Sequence, residues 1–176
     1  MSDPEAVWHE SYRHPTAWDS VYPPLSVVDM FDQSAASAGK ATAGLEDIDT
    51  QIAVLSGMSA KEQQQMVAEA LEQAGKGDEM GRKLHDAWRR GDDKLLWTSM
   101  ATEMRGQYPQ LYQRINRDRN DAWVPKLQQH LQAGQGGTMV VVGTLHLLGN
   151  DGVVEKLRAK GYKVERVCTG CAKPKR

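Results

Sequence analysis

Residues 138–144, TMVVVGT, carry the reading of this chain. The run is apolar, β-branched and too uniformly hydrophobic for a half-exposed strand, so it predicts a central strand covered on both faces. GQGG (134–137) releases the chain into it. A helix over about Asp151 to Lys160, ended by Gly161, comes next, and YKVERV (162–167) supplies a last strand. Strand, helix, strand is a βαβ unit, which favours a right-handed crossover and parallel pairing. A third short strand is expected upstream, over Ala41 to Leu45 in KATAGLED. The predicted fold class is therefore α/β: a small, mostly parallel sheet of about three strands.

The remainder reads as helix. SVVDMFDQSAASAGK places Val27, Met30, Phe31, Ser34 and Ala38 at helical spacing, a helix packed by one face and closed by Gly39. IDTQIAVLSGM is a short helix stopped near Gly57. SAKEQQQMVAEALEQAG opens with Ser59 and Glu62 as a capping box, and Met66, Val67, Ala70, Leu71 and Ala74 form its expected buried stripe. Helical register continues to residue 133, punctuated by Gly91, Gly106 and Pro109, with Pro125 expected in the first turn of the last helix and Trp88 and Trp97 in the core. The domain reading is an irregular lead-in over 1–25, one α/β domain over 26–167 with a helical insertion at about 59–133, and a tail over 168–176.

Bulk properties narrow the function. Of the 176 residues 40% are hydrophobic and 26% charged, near the globular norm. With 22 Lys+Arg against 23 Asp+Glu the net charge is -1, which offers no attraction for a phosphate backbone, so nucleic acid is not an expected partner. No apolar run approaches a membrane span, and the opening MSDPEAVWHESYRHP has neither the basic nor the apolar region of a signal peptide. Cys168 and Cys171 lack a second ligand pair and a strand-to-helix context, so they read as two tail thiols or a local disulfide. His9 and His14 are five apart, which spoils the alignment of two helical ligands. His85 and His130 read as surface. There is no Gly-rich phosphate loop and no Gly-x-Ser-x-Gly elbow.

In open α/β sheets ligands collect beyond the carboxyl ends of the strands. His146 would lie there, three residues after Gly143, and Glu46 would hold the matching place after ATAGLE. If those strands are neighbours, a carboxylate and an imidazole converge, a pair suited to a divalent ion or to acid–base work on water. In RINRDRNDAW the ordinary reading is a solvated, salt-bridged face, yet Arg119 and Asn120 directly precede Trp123 and could point into the crevice.

In order along the chain, VVDMFDQSAASAGKATAGLED, LHDAWRRGDDKLL, RDRNDAW and MVVVGTLHLLGNDGVVEKLRAKGYKVERV resemble the TraB/GumN family, also called TraB/PrgY/GumN, with the Tiki metallopeptidases as relatives. The resemblance runs from about Val28 to Val167. It implies an α/β core with a helical insertion and a site of two Gly-x-x-His motifs plus acidic and polar residues, which in members thought to be peptidases bind manganese, cobalt or a similar ion. By position, Gly143 and His146 look like the second Gly-x-x-His, Gly44 and Glu46 like the GLE segment, and Arg119 with Asn120 like the RN pair. Thr144 and Leu148 stand where a small residue and a proline are usual.

No Gly-x-x-His precedes Glu46. The chain is therefore expected to be a C-terminal portion of a longer protein or a shortened relative. The leading expectation is a metal-dependent, peptidase-like hydrolase on a peptide or small molecule, with Glu46 and His146 as ligands to manganese, cobalt or zinc, and Arg119 and Asn120 orienting substrate. Two ligands fall short of the three or so that a catalytic ion needs, so the site is expected to be incomplete or inactive in this chain. The rival expectation is a non-catalytic binding or regulatory module, since the resemblance includes members described as inhibitors of peptide signals. An apolar edge strand would favour a homodimer. Family members are often exported or envelope-associated, which leaves localisation open.

Overall fold

A computed structural model describes residues 27–75, 77–133 and 137–167. The lead-in over 1–25, the tail with Cys168 and Cys171, and His9 and His14 lie outside the described residues. By contact the chain divides into two units, 1–43 and 44–176.

In the first unit, helix α1 (Val27–Ser37) forms where its spacing predicts. Its Met30 and Phe31 are 52% and 42% exposed.

The second unit begins with α2 (Ile48–Ser56), started by Asp47, whose carboxylate accepts from the Thr50 N–H at 2.7 Å. Next is α3 (Ala60–Gly75). Its predicted capping box is present: Glu62 Oε2 accepts from the Ser59 N–H at 2.8 Å and Ser59 Oγ from the Glu62 N–H at 3.3 Å. Helix α4 (Gly77–Arg90) gives way at Gly91 to α5 (Asp93–Trp97), a π-helical turn (Thr98–Thr102) and α6 (Glu103–Gln107). Pro109 opens α7 (Pro109–Tyr112), which passes through a second π-helical turn (Gln113–Arg117) into α8 (Asp118–Ala133). A 3-10 turn (Thr144–Leu147) and α9 (Val153–Ala159) follow.

Among the described residues there is no strand, so the α/β class and the parallel sheet give way to a mostly helical fold. A strand exists only where a second backbone completes its ladder. Residues 138–142 make no backbone hydrogen bond among the described residues, and 41–45 and 162–167 are likewise irregular. What holds these segments is side-chain contact. Leu45, Val142 and Leu157 pack on a core of Trp123, Val124, Leu127 and Val153, which α8 and α9 share. Met139 and Val140 face outward, 67% and 44% exposed, where a doubly covered strand was expected. The 162–167 segment is tied by guanidinium groups: Arg158 donates to the Val164 carbonyl at 2.9 Å and Arg166 to Asp93 at 2.9 Å.

Three smaller expectations are also corrected. Helix α3 does not bury Met66, Val67 and Leu71, which are exposed; it is anchored instead at its start, where Met58 just before it and Glu62 in its first turn are buried and Arg114 donates to Glu62 at 3.0 Å. Trp88 is 51% exposed rather than core. Pro125 lies well inside α8, because the helix already starts at Asp118.

Candidate functional site

The site grows from one face of α8 and the turn before it. Residues three or four apart share a helix face, and Asn116, Asn120, Trp123, Val124 and Leu127 are all buried. Arg119 sits at the edge of that face with its side chain 26% exposed. The solvated reading of RINRDRNDAW holds for Arg117 and Asp121, an exposed pair, and fails for Arg119 and Asn120.

Glu46 reaches this face from the irregular segment before α2. Lys126 anchors that segment by donating to the Leu45 carbonyl at 2.6 Å. The Glu46 side chain is 7% exposed. Arg119 grips it as a fork, Nε donating to Oε2 at 3.1 Å and Nη2 to Oε1. Trp123 adds its indole N–H to Oε2 at 3.1 Å, and the Arg119 guanidinium lies 5.0 Å from the Trp123 ring centroid. The third guanidinium nitrogen, Nη1, donates to the Ile115 carbonyl at 3.4 Å. Gly44 is required for this approach, since a Cβ there would lie 2.6 Å from the Glu46 carbonyl oxygen.

His146 arrives from the other side, on the 3-10 turn. Its ring packs on Trp123 with centroids 4.5 Å apart, and its Nδ1 lies 2.7 Å from Asn120 Oδ1. The Asn120 amino group donates to the Asp151 carbonyl at 2.8 Å, which can only accept. The amide is therefore oriented with its oxygen toward His146, and Nδ1 must carry the proton. That leaves the lone pair on Nε2, which makes no hydrogen bond among the described residues. Burial pushes the His146 pKa down to about 4; the Arg119 cation adds to this and Glu46 opposes it. The imidazole is neutral at pH 7. Gly143 is not sterically demanded here, because a Cβ would meet His146 only at an ordinary 3.7 Å.

The four residues singled out in the sequence, Glu46, Arg119, Asn120 and His146, thus meet around Trp123, without the sheet that was expected to bring them together. Trp123 itself was read only as an apolar turn; its spacing four residues after Arg119 was the available signal. Asp151 was not singled out. Its carboxylate accepts from the Tyr112 hydroxyl at 3.4 Å and lies 3.6 Å from Arg105 and 3.8 Å from Arg117. A shallow cavity of about 210 Å³ opens beside Arg119, lined by Gln51, Val54, Leu55 and Ile115.

These residues do not complete a divalent-cation site. Both oxygens of Glu46 are engaged by Arg119 and Trp123, so the one free donor is His146 Nε2. Among the described residues no three His, Cys, Asp or Glu side chains converge.

A family model described as the TraB/PrgY/gumN family matches residues 13–166. The chain belongs to the TraB/PrgY/gumN family. The match begins at residue 13, within the stretch read as a lead-in. No curated protein and no solved structure matches the chain. Among the described residues of this TraB/PrgY/gumN domain, no helix is long and apolar enough to cross a membrane.

Proposed function

We propose that this chain carries part of a hydrolase-type site, in which His146 Nε2 is the working atom toward a peptide or small-molecule substrate and Glu46, Arg119, Asn120 and Trp123 are the frame that holds it. The observation that carries the reading is the 2.7 Å contact between His146 Nδ1 and Asn120 Oδ1. An imidazole anchored through one nitrogen and bare at the other is the form that takes a proton or donates a lone pair. The cavity beside Arg119, lined by Val54, Leu55 and Ile115, offers an apolar surface for a substrate side chain.

A second reading, a binding or regulatory module without turnover, is favoured by the saturation of Glu46. With its carboxylate held by a guanidinium and an indole, the site offers, among the described residues, a lone imidazole where a catalytic ion needs about three ligands. On both readings His146 Nε2 is the working atom among the described residues.

The experiment is metal uptake by the full chain after chelator treatment, titrated with manganese, cobalt and zinc alongside His146→Ala. The expected result is no stoichiometric binding by either protein. One ion per chain, lost in His146→Ala, would overturn the incomplete-site reading and establish a complete metal centre. Hydrolysis of a mixed peptide library by the metal-free chain, lost in His146→Ala, would decide for the hydrolase reading over the binding module.

A further inference from the structure

The loop after His146 packs on Trp97 and presents the Asp151 carbonyl to Asn120. Gly149 has φ +68, and a Cβ on it would lie 2.2 Å from the Trp97 ring, so the indole rests directly on the glycine backbone. Trp97 is itself braced. The Arg105 guanidinium lies 5.5 Å from the Trp97 ring centroid and 5.4 Å from that of Tyr112. Tyr112 in turn donates to Asp151 and accepts from the Asn116 amide at 3.1 Å. The turn is closed by the Gly152 N–H, which donates to the Gly149 carbonyl at 3.0 Å. The Asp151 backbone is thereby pinned at both ends of a short loop, with its carbonyl directed at Asn120.

We infer that Trp97 and Gly149 are positioning residues for His146: by fixing the Asp151 carbonyl they claim the Asn120 amino group, turn Asn120 Oδ1 onto His146, and hold the imidazole as its Nδ1–H tautomer with the lone pair on Nε2. The inference rests on the reading of His146 Nε2 as the working atom for its functional meaning, but the tautomer is a property of the folded chain and can be read without substrate or metal. A second-row contact of this kind matters because a histidine in the other tautomer presents a proton where a lone pair is needed. Among the described residues, Trp97 and Gly149 are neither hydrogen-bond partners of Glu46 nor part of the lining of the cavity beside Arg119.

The test is the two-bond ¹H–¹⁵N correlation spectrum of the full chain labelled at histidine, at a pH near 8, with Gly149→Ala and Trp97→Leu read in parallel and circular dichroism confirming that each is helical. In the wild type His146 is expected to show a protonated Nδ1 and a bare Nε2. In Gly149→Ala, whose new methyl meets the indole, the Nδ1–H signature is expected to be lost or to give way to the Nε2–H form that unconstrained histidine favours. Trp97→Leu removes the brace without adding bulk and is expected to give a mixture. A wild-type Nε2–H tautomer would overturn the inference. So would a folded Gly149→Ala or Trp97→Leu that keeps a pure Nδ1–H form. Failure of the proposed function would appear elsewhere, as an absence of any His146-dependent binding or turnover with the tautomer pattern intact.

Discussion

Asn120 and His146 are joined through Oδ1 and Nδ1 at 2.7 Å, across 26 residues of sequence, with Asn120 fully buried. The amide satisfies two partners at once, the imidazole N–H and the Asp151 carbonyl. Asn120→Ala leaves both unpaired in the interior and is expected to cost about 2 kcal/mol, from the typical penalty of stranding a buried polar group. Equilibrium urea denaturation checks this; a loss under about 0.5 kcal/mol, the range of ordinary surface substitutions, would show that the amide is not the anchor.

Acid should weaken the fold through His146. The unfolded chain takes up the imidazole proton near the ordinary value of 6.5, while the folded chain does so only at about 4. Between those values the unfolded state binds more protons, so stability is full above 6.5 and falls as pH drops toward 4. Melting temperatures of the chelator-treated protein from pH 8 to pH 4 should decline over that interval. In His146→Gln the decline should flatten, and an unchanged profile would speak against a buried neutral imidazole.

Ser59 and Glu62 make a third, independent prediction. Hydrogen bonds from Ser59 and then the Arg114 guanidinium hold the Glu62 pKa down at about 2, against an ordinary 4.5. Their contribution is present above 4.5 and is lost as pH falls through 2. Ser59→Ala should lower stability by about 1 kcal/mol, the usual cost of a lost N-cap, and should weaken the acid sensitivity in that lower window. Calorimetry of the two proteins at pH 7 and pH 3 reads both effects.

Much of the local helical structure was legible because its signals are local. The Ser59–Glu62 cap, the break at Gly91 and Pro109 at the start of a helix each depend on neighbours a few residues away. The sequence reading expected a sheet where none forms among the described residues, and the reason is physical: TMVVVGT has strand propensity, but propensity does not supply a partner backbone, and Val142 packs against α8 and α9 instead. The Met66 and Val67 stripe failed for a related reason, since periodicity names a face without saying whether anything covers it. The candidate residues still converge without the sheet because the contacts among Glu46, Arg119, Trp123, Asn120 and His146 are made through α8, and the family resemblance named four of the five. What the sequence could not convey was that Arg119 would grip Glu46 itself.

The convergence of segments 73 residues apart on one ion pair is tested most directly by a double-mutant cycle on Glu46 and Arg119. Unfolding free energies would be measured for wild type, Glu46→Gln, Arg119→Met and the double variant. Each single change should cost about 3 kcal/mol, the low end for breaking a buried pair because Arg119 keeps some contact with solvent. The double variant should cost less than the sum, with a coupling of about 1 to 3 kcal/mol. Strict additivity of the two single costs would mean that Glu46 and Arg119 do not meet, and the account of the site would be wrong.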